Sequence, residues 1–370
     1  MQSRIPDEEM FAKTQNEPLI KSGNTREEVA TNTKHPVILS VSRTTDIPAF
    51  YSEWFIQRLK EGFCLRFNPY NKRPLLIDLS GVKVVVFWTK NPEPLMKHLD
   101  FLDEKGIKYY FQYTLNDYDK EGLEKNVPPL AERILTFKKL SEKLGPERAI
   151  WRFDPLLLSD EITVETLIER IRKIGDEISP YTEKLVFSFI DLYKSVNWNI
   201  QRSKTAGTLN IREFEKHEME DLAEKLSSLC HSWKISAASC GEDIDLSSFW
   251  IFKNACVDPD LIGRISKSDP DIIRYLSKYA KKDKGQRESC RCIESTDIGQ
   301  YNTCPHLCSY CYANRYPESV RKNYMMHKRN PCSPTILWDE PVMSGSCEEN
   351  PACKLPESGR YQSVLHSHDR

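Results

Sequence analysis

After Pro36, short apolar runs recur along the chain, separated by stretches in which apolar residues return every three to four positions. The runs are VILSVS (37–42), VKVVVFWT (82–89), IKYYFQYTL (107–115), AIWRFDPLLL (149–158), KLVFSFID (184–191) and WKISAAS (233–239), with GFCLRFN (62–68) as a further candidate. Rich in β-branched and aromatic residues, each has the length of a buried strand. The segments between them read as amphipathic helices with Pro near the start and Gly just past the end, the expected asymmetry of helix termini. One runs from Pro48 to Gly62, one from Pro92 to Gly106 and one from Pro128 to Gly145. Another starts at Thr163, a suitable N-cap, and the long segment 211–233 is amphipathic. Alternating strand and helix predicts a parallel sheet, because a parallel pair needs a crossover. The expected fold class is α/β, a full or partial (β/α) barrel over residues 36–330. An open doubly wound sheet is the other architecture, although no Gly-rich phosphate loop follows the first strand. Residues 1–35 are polar and aperiodic and are expected to form a flexible arm; residues 331–370 form a polar tail.

Polar residues end these strands: Ser42, Arg43 and Asp46; Thr89, Lys90 and Asn91; Asn116 and Asp117; Arg152 and Asp154; Ser188 and Asp191; Ser239 and Cys240. In a parallel barrel they meet on the carboxyl face, where such folds carry chemistry. Singly, each also fits ordinary loop polarity. As a set they point to a pocket in which Ser42, Arg43, Lys90, Arg152 and Asp154 contact a cofactor or substrate. The three cations suit anionic groups, with Asp154 and Asp191 orienting them.

Composition narrows the class. The chain has 370 residues, 39% hydrophobic and 29% charged, with a net charge of −1, an ordinary globular balance. It lacks an apolar run long enough for a membrane span and an apolar signal core near the N-terminus, so a cytoplasmic protein with no membrane partner is expected. Between Lys278 and Arg329 there are eleven Lys or Arg against five Asp or Glu. That stretch fits nucleic acid or a phosphorylated substrate, or simply a solvated basic surface.

Twelve cysteines is a high count, and eight lie from Cys290 onward. In a reducing compartment, clustered thiols more often bind metal than form disulfides. Cys304, Cys308 and Cys311 follow Cys-x3-Cys-x2-Cys in TCPHLCSYCYANR (303–315). Three soft ligands leave one position open, or need a distant fourth. Two chemistries fit: an iron–sulfur cluster with an open iron, or zinc completed by His306, His327 or Cys332. The segment after Tyr310 is expected to begin a helix that turns its first N–H groups toward an anionic ligand. A second set, Cys240, Cys256, Cys290 and Cys292, supplies four thiols for a second [4Fe-4S] cluster or a structural zinc; buried structural cysteines are the alternative. Cys64 and Cys230 read as core residues.

Cys304, Cys308 and Cys311, with the aromatic Tyr310 before the last cysteine, resemble the cluster motif of the radical S-adenosylmethionine enzymes, and TCPHLCSYCYA is similar to that of spore photoproduct lyase and its relatives. The resemblance implies a [4Fe-4S] cluster on the three cysteines, S-adenosyl-L-methionine on the open iron, and a 5′-deoxyadenosyl radical that abstracts hydrogen from an unknown substrate. It also implies an electron donor such as a ferredoxin or flavodoxin, and a full or partial (β/α) barrel. The position differs, since here the motif follows all the strand–helix units rather than the first strand. In this the chain resembles a family of uncharacterised proteins whose C-terminal cysteines are like that N-terminal cluster. SRTTDIPAFYSEWF, VVVFWTKNP, RFDP, FSFIDLY and QRESCRCIESTDIGQYNTCPHLCSYCYAN carry that likeness. Thr44 stands where a second Arg is expected, and no Gly-Gly-Glu segment is present for the methionyl amine. The order implies a circularly rearranged barrel in which IESTDIGQY (293–301) supplies the missing strand and the cysteine loop leaves its carboxyl end. The competing reading is a zinc or iron–sulfur module that binds nucleic acid without catalysis, through the basic stretch and Tyr310, Tyr312 and Tyr324.

Overall fold

The computed structural model describes residues 33–69, 71–203 and 206–337. The strands and helices come in the order the hydrophobic pattern implies. β1 (Thr33–Lys34) and β2 (Ile38–Val41) precede two helices, α1 (Ile47–Phe50) and α2 (Ser52–Glu61). β3 (Phe63–Phe67) and β4 (Pro74–Asp78) pair antiparallel and, with β1 alongside β4, form a separate three-stranded sheet. GFCLRFN is therefore a strand, but of this small sheet. β5 (Val84–Thr89) follows, and the expected helix after Pro92 is divided into α3 (Glu93–Met96) and α4 (Leu99–Glu104). Then come β6 (Lys108–Thr114), α5 (Leu130–Leu144), β7 (Ala149–Leu156), α6 (Val164–Ile178), β8 (Lys184–Phe189) and α7 (Lys194–Arg202). Thr163 caps α6, its hydroxyl accepting from the Thr166 N–H at 3.3 Å.

The last segment of the chain is α8 (Lys216–Trp233), β9 (Ser236–Ser239), β10 (Phe252–Lys253), α9 (Pro259–Ile265), α10 (Pro270–Lys278), β11 (Thr296–Asp297) and α11 (Pro317–Arg329). α8 begins five residues later than its periodicity suggests. Arg212 is held in an isolated bridge to Leu158, and Glu215 and Glu218 form a capping box that starts the helix at Lys216. α6 and α8 touch at Gly175, where an added Cβ would lie 2.2 Å from the Trp233 ring.

The main sheet has eight strands in the order β10-β9-β8-β7-β6-β5-β2-β11, all parallel. β11, from IESTDIGQY, lies beside β2, with Thr296 opposite Leu39 and Asp297 opposite Ser40. The last strand in sequence thus supplies the neighbour that the first strand lacks. No pairing joins β10 to β11 among the described residues, an arrangement compatible with a partial (β/α) barrel.

Successive side chains on a strand point to opposite faces, and the sheet obeys this except at the end of β7, where the register shifts between Phe153 and Leu156. Leu39, Val85, Phe87, Phe111, Trp151 and Phe187 face the helices in the larger core. Ile38, Val84, Val86, Tyr110, Ile150 and Val186 face a second core, filled by Val257, Leu261, Ile262, Ile272 and Ile293. The second face is therefore covered by the chain between β10 and β11. Residues 33–35 and 331–337, assigned above to the arm and the tail, are tied to the body: β1 pairs with β4, and the Trp54 indole N–H donates to the Ser333 carbonyl at 2.7 Å. The rest of the arm and tail lies outside the described residues. No described helix is long and apolar enough to cross a membrane.

Candidate functional site

Strand parity brings the named residues together. Ser42, Lys90, Asn116, Arg152, Asp154, Ser188 and Cys240 carry the same even parity as the Ile38/Val86/Tyr110 face and stand at or beyond the carboxyl ends of their strands. The cysteine loop leaves the same end of β11.

Asp46 organises the entrance to this loop. As N-cap of α1, its Oδ1 accepts from the Ala49 N–H (3.0 Å) and the Thr89 hydroxyl (2.7 Å). Its Oδ2 accepts from the Lys90 N–H (2.7 Å) and lies 2.9 Å from His306 Nε2. The other ring nitrogen of His306 faces the Asn126 carbonyl at 3.0 Å. The Asn126 amide donates to the Pro305 carbonyl at 2.7 Å, and the Tyr51 hydroxyl to the Thr303 carbonyl at 2.6 Å. Gly299 packs against Ser42, and a Cβ there would lie 1.8 Å from the Ser42 hydroxyl. That hydroxyl already accepts from the N–H groups of Thr44 (3.0 Å) and Thr45 (3.2 Å). Ser42 therefore caps its own turn.

Cys304, Cys308 and Cys311 lie within electrostatic reach of one another. Burial pushes all three thiols up. Opposing it, the backbone N–H groups of Asp46 and His306 lower the Cys304 thiol, those of Asn314 and Ala313 lower the Cys311 thiol, and the Lys90 charge favours the Cys308 thiolate. The loop is tied by Asn314, whose amide donates to the Cys304 carbonyl (2.7 Å), and by Asn199, which donates to the Cys311 carbonyl (2.7 Å). The expected helix does not begin at Tyr310. It starts at Pro317, because Tyr316 is held extended before the proline and Asn302 Oδ1 accepts from the Arg315 N–H at 2.6 Å.

Two of the ligands considered for a fourth position, His306 and Cys332, are engaged elsewhere, while His327 Nδ1 is buried without a hydrogen-bond partner among the described residues. Both His306 nitrogens have acceptor partners. Cys332 is disulfide-bonded. His327 packs edge-on against Tyr51 at 4.6 Å; burial, with Lys328 nearby, lowers its pKa to about 4. Among the described residues, no group of three or more His, Cys, Asp or Glu side chains stands in a ready metal-holding arrangement.

Beside the loop is a buried ionic network that sequence reasoning missed. Glu124 is fully buried. Its Oε1 accepts from Lys90 Nζ (2.7 Å), the Asn116 amide (3.0 Å) and the Tyr310 hydroxyl, while Oε2 faces Arg133 Nη1 at 3.5 Å. Burial opposes the charge, but Lys90 and Arg133 outweigh it and hold the carboxyl down at about 2. Glu124 lies in a charged loop without periodicity, so nothing in the sequence pattern marks it. Of the three aromatics considered for base stacking, Tyr310 is buried on Glu124, Tyr324 packs edge-on against Phe50 and Tyr51, and Tyr312 is exposed.

The second cysteine set also converges. Cys240 and Cys256 sulfurs are 3.3 Å apart, and the Cys292 thiol contacts those of Cys256 and Cys290. Arg152 Nη1 donates to the Cys256 sulfur at 3.0 Å, and its other nitrogens hold Asp154 Oδ2 at 2.6 and 3.1 Å. Asp154 also accepts from the Ser188 hydroxyl. The Asn116 side chain joins this group to the first: its Oδ1 accepts from the Asp154 N–H (2.9 Å) and its amide donates to the Tyr310 hydroxyl (3.1 Å). Arg43 stacks over Trp88 at 4.8 Å, and Asp297, Cys292 and Cys256 offset its burial. Asp191 is paired with Arg287 at the rim. A cavity of about 480 Å³ opens at the end of β9, lined by Ser239, Ile244, Leu246, Lys253 and Arg291 among others; no residue of the cysteine loop lines it.

The DUF1848 family, a domain of unknown function, matches residues 38–313, from the first strand of the main sheet through the last cysteine of the loop. The chain belongs to the DUF1848 family. The matched span contains every residue of both cysteine groups and of the Glu124 network, so the site lies inside the DUF1848 domain. No curated protein matches the chain. Among solved structures, a protein of Bacteroides thetaiotaomicron VPI-5482 assigned as an alpha-L-fucosidase is 11% identical, covering 85% of this chain and 98% of that chain at a TM-score of 0.26. Dispersin B is 9% identical, covering 82% and 98% at 0.23. Neither likeness bears on the DUF1848 site.

Proposed function

We propose that this DUF1848 protein is a radical S-adenosylmethionine-type enzyme whose [4Fe-4S] cluster is held by Cys304, Cys308 and Cys311. One observation carries the reading. Three thiols of one loop stand beyond the carboxyl end of the sheet, within electrostatic reach of one another, and two of the candidates for a fourth ligand, His306 and Cys332, are engaged elsewhere. Hydrogen bonds to cluster sulfurs and burial are the levers by which a protein sets such a centre. In a cubane each thiolate binds a different iron, so the three sulfurs need not close on one point. A [4Fe-4S] cluster held by Cys304, Cys308 and Cys311 would supply one-electron reductive cleavage of S-adenosylmethionine, drawing on a ferredoxin- or flavodoxin-class donor, for hydrogen abstraction from the substrate.

The chain's own groups do the rest. Lys90, held by Glu124 and Tyr310, places a buried cation beside Cys308. Arg43, stacked over Trp88, suits a substrate with anionic groups, such as a nucleotide or nucleic acid.

The test is chemical. The protein, purified without oxygen, loaded with iron and sulfide and reduced, is given S-adenosylmethionine. Formation of 5′-deoxyadenosine and methionine in equal amounts is the expected result. A chain that takes up zinc and no iron, and cleaves nothing, belongs to the non-catalytic module instead.

A further inference from the structure

The Cys240–Cys256–Cys290–Cys292 group lies in the core that covers the inner sheet face, where Cys256, Cys290 and Cys292 are each less than 10% exposed. Buried structural thiols need no donors. These have several. The Cys256 sulfur accepts from Arg152 Nη1 (3.0 Å) and the Asn254 amide (3.3 Å). The Cys292 sulfur accepts from the N–H groups of Cys256 (3.1 Å) and Val257 (3.4 Å), and the Cys290 sulfur from the N–H of Cys292 (3.4 Å). Five N–H donors on three buried sulfurs favour thiolates, and thiolates crowded in a core need a cation among them.

The geometry points to a single tetrahedral ion of the zinc type, bound by Cys240, Cys256, Cys290 and Cys292. Compactness selects one ion over a cubane, which would drive four thiolates apart onto four separate irons. Bonds of about 2.3 Å set the edge of a tetrahedral tetrathiolate near ~3.8 Å. The Cys240–Cys256 contact of 3.3 Å falls short of that edge by roughly half an ångström. Among the described residues the thiols do not stand in a ready metal-holding arrangement, and the ion's entry opens this one contact by that amount. The site ties Cys240 after β9, Cys256 after β10 and the Cys290–Cys292 segment before β11 into one unit. It thereby fixes Arg152, which reaches Asp154 and through Asn116 the Tyr310 hydroxyl. Arg152 is in this sense a positioning residue.

This inference stands apart from the reading of Cys304, Cys308 and Cys311. The full chain carrying C304A, C308A and C311A together, expressed with zinc and iron both supplied, is analysed for metal. About one zinc per chain is expected, matching one tetrahedral site, and adding C256S and C292S should remove it. Zinc X-ray absorption on the unsubstituted chain, which needs no variant to fold, should show an all-sulfur shell. The proposal is overturned if the triple variant is folded and zinc-free, if it carries a four-iron cluster, or if zinc on the unsubstituted chain has nitrogen or oxygen ligands.

Discussion

Cys308→Ala is expected to lose the brown iron–sulfur absorption and reduce 5′-deoxyadenosine formation to background while leaving the barrel folded. Cys308 is the most buried of the three loop cysteines and the one that Lys90 faces. Removing its sulfur leaves two thiolates, too few to hold a cubane against exchange with solvent. The structural cost is small by comparison. A single buried sulfur leaves a cavity costing on the order of 1 kcal/mol, and the loop keeps its ties through Asn314, Asn199 and Tyr51. Circular dichroism and thermal melting separate the outcomes. Loss of cleavage with a native melt fits a catalytic centre. Global unfolding would make the loop a structural node, and retained cleavage would remove these cysteines from the chemistry altogether.

Glu124→Gln is expected to give the largest loss of stability. The side chain is fully buried and holds Lys90, Tyr310 and Asn116, with Arg133 close by. Neutralising one member of a buried ionic group leaves the others uncompensated, typically at 3–5 kcal/mol. Lys90 reaches some solvent, which places the cost toward about 3 kcal/mol, a drop of several degrees in the melting temperature. Acid acts on the same group. Its carboxyl titrates at about 2 in the fold against 4.5 for an ordinary glutamate, so between those values the unfolded chain binds the extra proton. The stabilisation is complete above pH 4.5 and is lost as pH falls toward 2. The variant should accordingly melt with a weaker pH dependence in that window than the unsubstituted chain. Tyr310 keeps only a neutral acceptor in place of the carboxylate, so iron retention should fall. A melt within about 0.5 kcal/mol of the unsubstituted chain, the ordinary scatter of a surface change, would show that the network carries no such weight.

The α/β alternation was legible because each strand is a compact run of β-branched and aromatic residues between Pro and Gly boundaries. The polar residues that end successive runs were legible as a set at the carboxyl end of the sheet. IESTDIGQY could be assigned as a strand only by its likeness to a motif; two residues of pairing leave almost no periodic signal. The small sheet of β1, β3 and β4 was not legible as a unit, since a two-residue strand at Thr33 looks like any polar segment and finds its partner only in three dimensions. Glu124, Asp46 and His306 were missed as a network for a related reason. Their importance comes from burial created by distant segments, the cysteine loop above all, and no local pattern encodes it. The helix expected after Tyr310, placed there to turn its first N–H groups toward an anionic ligand, starts later because Pro317 sets the first turn. Cys240, Cys256, Cys290 and Cys292, by contrast, could be grouped from Cys240 at a strand's carboxyl end, Cys256 before a polar loop and the Cys-x-Cys pair just before the last strand.

The central claim is an iron with no protein ligand, open to a chelating cosubstrate. Electron paramagnetic resonance of the reduced cluster, recorded with and without S-adenosylmethionine labelled with 15N at the amine and 17O in the carboxylate, reads that vertex directly. The account predicts a changed signal carrying hyperfine coupling to both labels. An unchanged signal with no coupling would mean that the vertex is closed by the protein, and would contradict it.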